Sequence, residues 1–335
     1  MKNVQLIVPD LLPPPDWAGE LLSGLAVPAL DALLVRGERT AAESATMESA
    51  LCRAFGVSVE EGGDPVAAIT AQADGLSQGG YWLRADPVHF LLQRDKIVAL
   101  PTGGVTSDEV AALIGSLNQH FREDGLTFHA PHPQRWYLRL EVAPSITTTP
   151  LSQVLGRDIR HLLPQGEAAL RWHRLTNEIQ MLLHQHPINE ALEARGLRAV
   201  NGVWLWGGGA AGVALSKSLQ SVATDETLAG QFAQLAGQSE HAWPDCWQSA
   251  EGAQLLVYGG LGEALRAGDW QAWRERIQAF EYSYAQPLLA ALRRGELARL
   301  EIQVLCSGGD ARMYTLKRAS VWKLWRRGGL VQAVR

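Results

Sequence analysis

The sequence predicts an α/β protein whose parallel sheet is built from both ends of the chain and is interrupted by an inserted α+β domain. Three observations predict this fold class. Residues 4–8 form an apolar run with the length of a buried strand, and residues 78–145 show strands, one helix and further strands. From about residue 200 onward, helix-like and strand-like stretches alternate. Such alternation is typical of a parallel α/β sheet.

The domain organisation follows from the first strand. It has no partner in the middle of the chain, so we expect it to pair with the C-terminal α/β part. We therefore predict one α/β domain of residues 1–75 and 206–335 and an inserted domain of residues 76–205. A chain of 335 residues, 47% of them hydrophobic, is long enough to bury two such cores.

Helices are predicted after the first strand. Residues 18–37 are apolar at helical spacing and are broken once, at Pro28. A second helix ends at Gly56, because glycine is a frequent C-terminal stop. A short helix is expected before residue 75.

The inserted domain is predicted as strands around one helix. Strand-like runs cover residues 81–85, 88–92 and 97–100, and a helix begins with Thr106 or Ser107 as its N-cap. Two more strands with a proline turn follow, and then a long amphipathic helix halted at Pro187.

Three later stretches suggest sites and also have structural interpretations. "WGGG" brings backbone amides together but is interpreted as a tight strand-to-helix turn, and the aromatic residues of "WRERIQAFEYSY" are interpreted as core. "YTLKRASVWKLWRRGG" mixes five basic residues with two tryptophans. A solvated basic face is the favoured interpretation, and contact with a phosphate-bearing ligand or an anionic partner is the alternative.

Composition excludes several classes of protein. The net charge is −5, so nucleic acid is not an expected partner. No apolar stretch approaches the roughly 20 residues that cross a bilayer, and the N-terminus does not resemble a secretory signal. The three cysteines form no CxxC pair, which argues against a disulfide framework or a zinc knuckle. We expect a cytoplasmic protein with no membrane partner.

Two residues at predicted strand ends are candidates for chemistry. Asp10 follows the first strand, where α/β enzymes often place a metal ligand or catalytic group. Cys306 follows a buried strand near the C-terminus and is a candidate nucleophile. No histidine lies after His241 to activate it, so an inert thiol is the favoured interpretation.

The middle of the chain resembles a known family. "WLRADPVHFLLQRDKIVALPTGGVTSDEVAALIGSLNQHF", "ITTTPLSQVLGRDI", "LLHQHPINEALEARG" and "VNGVWLWGGG" resemble, in the same order, blocks of the archaeal-type, cofactor-independent phosphoglycerate mutases. The chain is more similar still to proteobacterial regulatory proteins of RpfE type. The resemblance implies an alkaline-phosphatase-like parallel sheet flanked by helices, with an inserted α+β domain. It also implies two divalent metals held by Asp and His, and a Ser nucleophile that transfers a phosphoryl group.

Few of the catalytic residues that the resemblance implies are found at the matching positions of this sequence. Asp10 matches the first metal-binding Asp, but the nucleophile position falls on Met47 and the following Asp position on Glu48. Thr46 or Ser49 serves as a nucleophile only with a shift of register.

Later ligands of the family are replaced. Gly262 and Arg266 stand where the resemblance implies a metal-binding Asp and His, and Ser307 and Gly308 stand where it implies an Asp-His pair. We expect Asp10 to persist as a strand-end residue that caps backbone amides or pairs with Arg266 or Lys317.

Anion-binding residues are better retained. The resemblance assigns Arg84 to the substrate phosphate, and Arg135, Arg157 and Arg266 are further candidates for gripping an anion. A structural salt bridge is the alternative for each.

These observations predict a degenerate phosphoglycerate-mutase-like protein that has lost its two-metal site and acts in binding or regulation. It needs no cofactor, and its partner is a protein or a small phosphorylated ligand. The alternative is an active mutase or phosphatase with a remodelled site of Asp10, Glu48, Asp310 and Glu263, which would favour Mg²⁺ or Mn²⁺.

Overall fold

The structure, a computed structural model, describes residues 2–43, 45–58, 63–76, 79–238, 240–306, 310–326 and 328–334, without the side chains of residues 240–242 and 266. The strands are β1 (Asn3–Pro9), β2 (Glu38–Ala41), β3 (Tyr81–Gln93), β4 (Lys96–Pro101), β5 (Thr127–His132), β6 (Arg135–Leu140), β7 (Gly202–Ala210), β8 (Ser221–Thr224), β9 (Glu240–Ala242), β10 (Ala253–Val257), β11 (Arg299–Leu305) and β12 (Ala311–Leu316).

The helices are α1 (Pro15–Leu21), α2 (Pro28–Arg36), α3 (Met47–Ala54), α4 (Val66–Ala73), α5 (Ser107–His120), α6 (Ala169–His184), α7 (Pro187–Ala194), α8 (Thr227–Leu235), α9 (Gly260–Ala267), α10 (Trp270–Phe280), α11 (Gln286–Arg294) and α12 (Leu330–Val334). A π-helical turn, Glu281–Ala285, joins α10 to α11, and short 3₁₀ turns cover Leu151–Gln153, Ile159–His161 and Ser320–Trp322. No helix in the described ranges is long and apolar enough to span a membrane.

The chain forms two compact units. The first contains residues 1–57 and 215–335, and the second contains residues 58–214. The predicted boundaries at 75/76 and 205/206 differ from these because α4 and β7 pack against each other and against β3.

The first unit is built on a seven-stranded sheet in the order β2-β12-β11-β1-β10-β8-β9. β1 lies between two C-terminal strands and pairs in parallel with both, with Leu6 opposite Leu256 on one side and Ile302 on the other. The predicted partner of the first strand is thus confirmed. β12 and β2 are antiparallel additions at one edge.

The core of the first unit lies between this sheet and helices from both ends of the chain. The aromatic stripe predicted as core is confirmed for Trp273, Phe280 and Tyr284, which are buried together with Ile277, but the prediction is wrong for Tyr282, which is exposed. These side chains lie on α10 and the π-helical turn, and they share one cluster with the apolar residues of α2 and β1.

A buried carboxylate joins the π-helical turn to the start of α2. Glu281 is 1% exposed, and its two oxygens accept hydrogen bonds from the backbone amides of Ala29 and Leu30 at 2.9 and 2.8 Å. These amides belong to the first turn of α2, where backbone donors have no partner within the helix. The carboxylate also lies at the positive end of the helix dipole. Glu281 therefore acts as a cap supplied from 250 residues away in sequence.

The second unit is an α+β structure around β3. β3 pairs with β4, β6 and β7, and β5 pairs with β6. The two strands predicted at 81–85 and 88–92 are one continuous strand, because Pro87 faces Val203 of β7 without interrupting the ladder. The predicted start of α5 is confirmed: Thr106 and Glu109 form a reciprocal capping box.

The prediction of a strand-to-helix turn at "WGGG" is wrong. All three glycines lie within β7, and no helix follows directly. A Cβ atom at Gly208 would lie 2.4 Å from the Tyr81 hydroxyl, and one at Gly209 would lie 2.4 Å from Pro65. These glycines are needed because α4 and β3 approach the strand closely.

Replacing Glu281 is expected to destabilise the first unit. Glu281→Ala leaves two buried amides without acceptors, so we expect the free energy of unfolding to fall by about 2–4 kcal/mol. Glu275→Ala is the matched control, since Glu275 is an exposed residue of α10. Urea unfolding measures both variants. Equal stability of the two variants would contradict the capping role.

Candidate functional site

The carboxyl ends of β1, β10, β11 and β8 meet at one edge of the sheet of the first unit. Asp10 directly follows β1 and adopts a left-handed backbone conformation with φ 56°. Its amide donates to the Leu305 carbonyl at the end of β11 (2.8 Å), and its carbonyl accepts from the Trp273 indole (3.1 Å). Asp10 is therefore fixed at the edge where open α/β sheets bind ligands.

Charged groups surround the thiol that follows β11. The Cys306 amide donates to the Asp310 carbonyl at 2.9 Å. Burial raises the pKa of the half-buried thiol, the carboxylates of Asp310 and Asp10 raise it further, and the guanidinium groups of Arg312 and Arg39 lower it. The structure thus places the predicted residues Asp10 and Asp310 near one thiol, together with two arginines that sequence analysis did not predict there, one of which, Arg312, pairs with Asp310 at 3.4 Å.

The predicted nucleophiles act as helix caps. The Thr46 hydroxyl accepts from the Ser49 amide at 3.1 Å, the Thr46 amide donates to the Ser49 hydroxyl at 3.2 Å, and the two hydroxyls are 2.9 Å apart. This capping box satisfies donors at the start of α3. Met47 and the buried Glu48 follow in the first turn, and α3 contacts β1.

Aromatic side chains lie beside the end of β10. Tyr258 directly follows this strand, and its amide donates to the Ile7 carbonyl at 3.0 Å. Trp243 stacks against Tyr258 and Tyr284, with ring centroids 4.8 and 4.4 Å apart. Burial raises the pKa of Tyr258, the Asp225 carboxylate raises it further, and Arg276 lowers it. Sequence reasoning missed this stack, because Trp243 and Tyr258 are far from the α10 stripe in sequence.

The described residues do not fit the two-metal centre that the resemblance implies. Within the ranges that the structure covers, no group of three or more His, Cys, Asp or Glu residues could hold a metal ion. Gly262 is buried in α9, and the next residue, Glu263, forms an ion pair with Arg276 at 3.4 Å. The Arg266 side chain, Ser307 and Gly308 lie outside the described residues.

Lys317 is not a partner of Asp10. β12 runs antiparallel to β11 and places Leu316 opposite Leu300, near the amino end of that strand. Lys317 therefore follows β12 at the edge opposite to Asp10, so the predicted pairing is wrong.

Arg84 forms a buried ion pair in the second unit. Its guanidinium donates to Asp86 from Nη2 (2.7 Å) and Nε (3.1 Å), and it lies over the rings of Tyr137 and Trp206 at 5.2 and 5.3 Å. Asp86 also accepts from the Trp206 indole at 2.8 Å. Arg84 is 7% exposed, so this is the arrangement of a structural ion pair.

The other predicted arginines of this unit differ in exposure. Arg135 makes a bidentate contact with Asp74 at 2.6 and 2.7 Å, and the Tyr137 hydroxyl donates to the same carboxylate at 2.6 Å. Burial lowers the pKa of Arg135, but Asp74 outweighs this and the net pKa is raised. Arg157 is exposed in the loop between the two 3₁₀ turns of this unit.

Comparison with known proteins shows what the chain is similar to. Residues 61–189 match the family model of 2,3-bisphosphoglycerate-independent phosphoglycerate mutase. A phosphoglycerate mutase of this type from Methanothrix thermoacetophila is 30% identical over 109 residues, which cover 32% of the chain and 27% of that protein. The enzyme from Methanosarcina acetivorans is 26% identical over 206 residues, which cover 56% of the chain and 50% of that protein.

The chain thus spans between about a quarter and a half of the length of these relatives. Among solved structures, it is similar to the PH0037 protein from Pyrococcus horikoshii, with a TM-score of 0.52 and 14% identity over 94% of this chain and 87% of that one. This likeness concerns the fold alone. The predicted α/β fold with a parallel sheet is confirmed.

The candidate residues lie partly inside and partly outside the part of the chain that matches the family model. Arg84, Arg135 and Arg157 lie within the matched residues 61–189, whereas Asp10, Thr46, Glu48, Ser49, Arg266 and Asp310 lie outside them. The phosphoglycerate-mutase-like sequence is therefore concentrated in the second unit. The strand ends of the first unit are where it departs from the resemblance.

Breaking the Arg84 ion pair is expected to cost stability. Arg84→Gln leaves the Asp86 carboxylate uncompensated, and we expect a loss of about 3–5 kcal/mol in the free energy of unfolding. Arg84→Gln/Asp86→Asn should recover part of that loss, and Arg157→Gln, an exposed arginine control, should change stability by less than about 1 kcal/mol. Another outcome would contradict this role: Arg84→Gln keeps the full free energy of unfolding, and inorganic phosphate stabilises the wild type but not the variant. Arg84 would then be an anion ligand.

The Cys306 thiol is expected to react slowly. Its raised pKa keeps it protonated near neutral pH, so iodoacetamide should modify the exposed Cys246 first, and modification of Cys306 should accelerate as pH rises. Asp310→Asn removes a negative neighbour, lowers the pKa and should speed the reaction at fixed pH. Asp16→Asn, an exposed carboxylate of α1, is the control, and peptide mass spectrometry assigns the sites. A thiolate-like rate at Cys306 in the wild-type protein would contradict this assignment.

Proposed function

We propose that this protein is a degenerate relative of the cofactor-independent phosphoglycerate mutases that acts in binding or regulation, without two-metal catalysis. One observation carries the proposal: at the carboxyl edge of the sheet, where Asp10 follows β1, Asp310 forms an ion pair with Arg312 at 3.4 Å. Arg312 lies opposite Val304 near the end of β11, and Arg39 of β2 adds a second guanidinium group beside β12. Two guanidinium groups in this cluster oppose the binding of divalent cations. Two-metal phosphoryl transfer instead needs several acidic or imidazole donors converging on the metals.

The start of α3 supports the same proposal. The Thr46 and Ser49 hydroxyls are engaged with each other, and each accepts a hydrogen bond from the other residue's backbone amide. Such a reciprocal arrangement is a capping box, which satisfies donors at the start of a helix. We assign both residues to helix capping.

The proposal extends to the setting of the protein. We infer a bacterial, cytoplasmic regulatory protein of RpfE type. Its partner is a protein or a small phosphorylated ligand. For the latter, Arg157 is the exposed anion candidate of the second unit, whereas Arg84 is buried.

An active enzyme with a remodelled site is the second candidate. The proximity of Asp10 and Asp310 to one thiol favours it, because two carboxylates could share a Mg²⁺ or Mn²⁺ ion. Glu263 does not support it, since this side chain pairs with Arg276 at 3.4 Å, and Asp310 is itself paired with Arg312 at 3.4 Å.

Metal content and turnover distinguish the two candidates. We expect purified, untagged protein to contain no stoichiometric Mn, Zn or Mg, and to show no phosphoglycerate mutase or aryl-phosphatase turnover in added Mn²⁺. Asp10→Ala should leave both results unchanged. Elemental mass spectrometry and the two assays measure this, with an active cofactor-independent mutase as the positive control. Bound metal together with turnover that Asp10→Ala abolishes would establish the enzyme.

A further inference from the structure

The C-terminal segment differs in charge from the rest of the chain. Residues 311–335 contain seven Lys and Arg and no Asp or Glu, although the whole chain carries a net charge of −5. Charges more than a Debye length away, about 10 Å in ordinary buffers, are largely screened. An approaching surface therefore experiences this segment as cationic despite the acidity of the protein.

Three large apolar side chains of this segment are exposed together. Trp322, Leu324 and Trp325 are 58%, 60% and 75% exposed and lie within four consecutive residues. Single exposed hydrophobic residues are common, but a contiguous apolar group marks an interaction surface. Lys317, Arg318 and Arg326 flank the group and are also exposed. We call Trp322, Leu324 and Trp325 the apolar tip.

Hydrogen bonds fix the segment on both sides of the apolar tip. Arg36 donates to the Val321 carbonyl and Arg326 donates to the Gly37 carbonyl, both at 3.0 Å. Further along, the Leu330 amide donates to Asp31 at 2.8 Å. Val321 and Leu330 are buried in the core of the first unit. The tip is therefore held in place by α2, while its own side chains point into solvent.

We propose that the apolar tip and its basic neighbours dock the protein on the surface of an anionic phospholipid bilayer. Tryptophan partitions to the membrane interface, and apolar side chains beside Lys and Arg are typical of proteins that lie on a membrane. Anionic headgroups complement the charge of the segment. This inference goes beyond the proposed function, replaces the expectation from composition that the protein has no membrane partner, and does not depend on the metal site.

Leu324 distinguishes a bilayer from single-stranded nucleic acid. Nucleic acid also binds basic segments with aromatic rings, because bases stack on the rings. Leu324 offers no ring, yet it is as exposed as Trp322 and lies between the two tryptophans. A bilayer buries all three side chains, whereas a stacked strand leaves the leucine in water.

Vesicle sedimentation with the full chain tests the proposal. We expect binding to vesicles of phosphatidylcholine mixed with phosphatidylglycerol, weaker binding to phosphatidylcholine alone, and weakening by salt. Trp325→Ala should reduce the partition coefficient about tenfold. Leu324→Ala should reduce it severalfold, and each of Lys317→Gln and Lys323→Gln about fivefold.

Matched controls come from the β3–β4 hairpin. Leu92 is 75% exposed and Lys96 is exposed, so Leu92→Ala and Lys96→Gln remove the same kinds of group elsewhere. These variants should bind like the wild type, and unfolding midpoints should be unchanged in all of them. Absence of vesicle binding, an equal loss in the controls, or binding of oligo(dT) in place of vesicles would overturn the proposal.

Discussion

The pairing of β1 between β10 and β11 is the constraint on which the rest of the first unit depends. Parallel partners on both sides bring the first ten residues of the chain to strands that begin about 250 and 300 residues later. Such pairing requires closure of very long loops, which slows folding. Once formed, it places Asp10, Tyr258 and Cys306 at the ends of three adjacent strands. The position of the candidate site is therefore set by topology before its chemistry is considered.

The chemistry at that edge is structural in each contact that can be described. The Asp10 backbone joins β1 to the end of β11, Tyr258 belongs to an aromatic stack, and the Asp225 carboxylate accepts from the Gly259 amide at 2.7 Å. Each of these groups is already bonded or packed within the protein at a position where it could otherwise contact a ligand. The same scaffold position can thus stabilise a sheet edge or build a catalytic site, and fold alone does not decide between them.

Sequence reasoning succeeded where local chemistry determines structure. The α5 cap at Thr106 follows from residue types within one helical turn, and the burial of the α10 stripe follows from helical spacing. It failed where distant packing decides. The glycine run predicts a turn, but Gly208 and Gly209 lie in a strand, where Tyr81 and Pro65 leave no room for a side chain.

The same limit applies to the candidate site. The pattern that suggested a phosphate ligand at Arg84 cannot reveal that Asp86, two residues away, points at it on the same face of β3. Residues i and i+2 of a strand share a face, so an Arg-x-Asp pattern permits this pair. Tyr137 and Trp206 bury the guanidinium, and a buried charge needs a partner of opposite charge. This burial depends on tertiary packing, which the sequence pattern does not show. Likewise, the arginines near Cys306 lie on β2 and β12, which pair antiparallel at the edge of the sheet. The alternation of helices and strands in the sequence does not predict these two strands.

The stability of α2 connects the core to the C-terminal segment. Glu281 caps the first turn of α2, and Asp31 in that same turn caps α12 through the Leu330 amide. Burial raises the pKa of Asp31, the hydrogen bond from the Leu330 amide lowers it, and the nearby Glu281 charge raises it. Backbone amides donate to both carboxylates, and these hydrogen bonds offset the repulsion between them. Arg36 and Gly37, at the other end of α2, contact residues on both sides of the apolar tip. A surface held at both ends of one helix loses little conformational freedom when it binds a partner, and this preorganisation is what distinguishes the tip from a flexible basic tail.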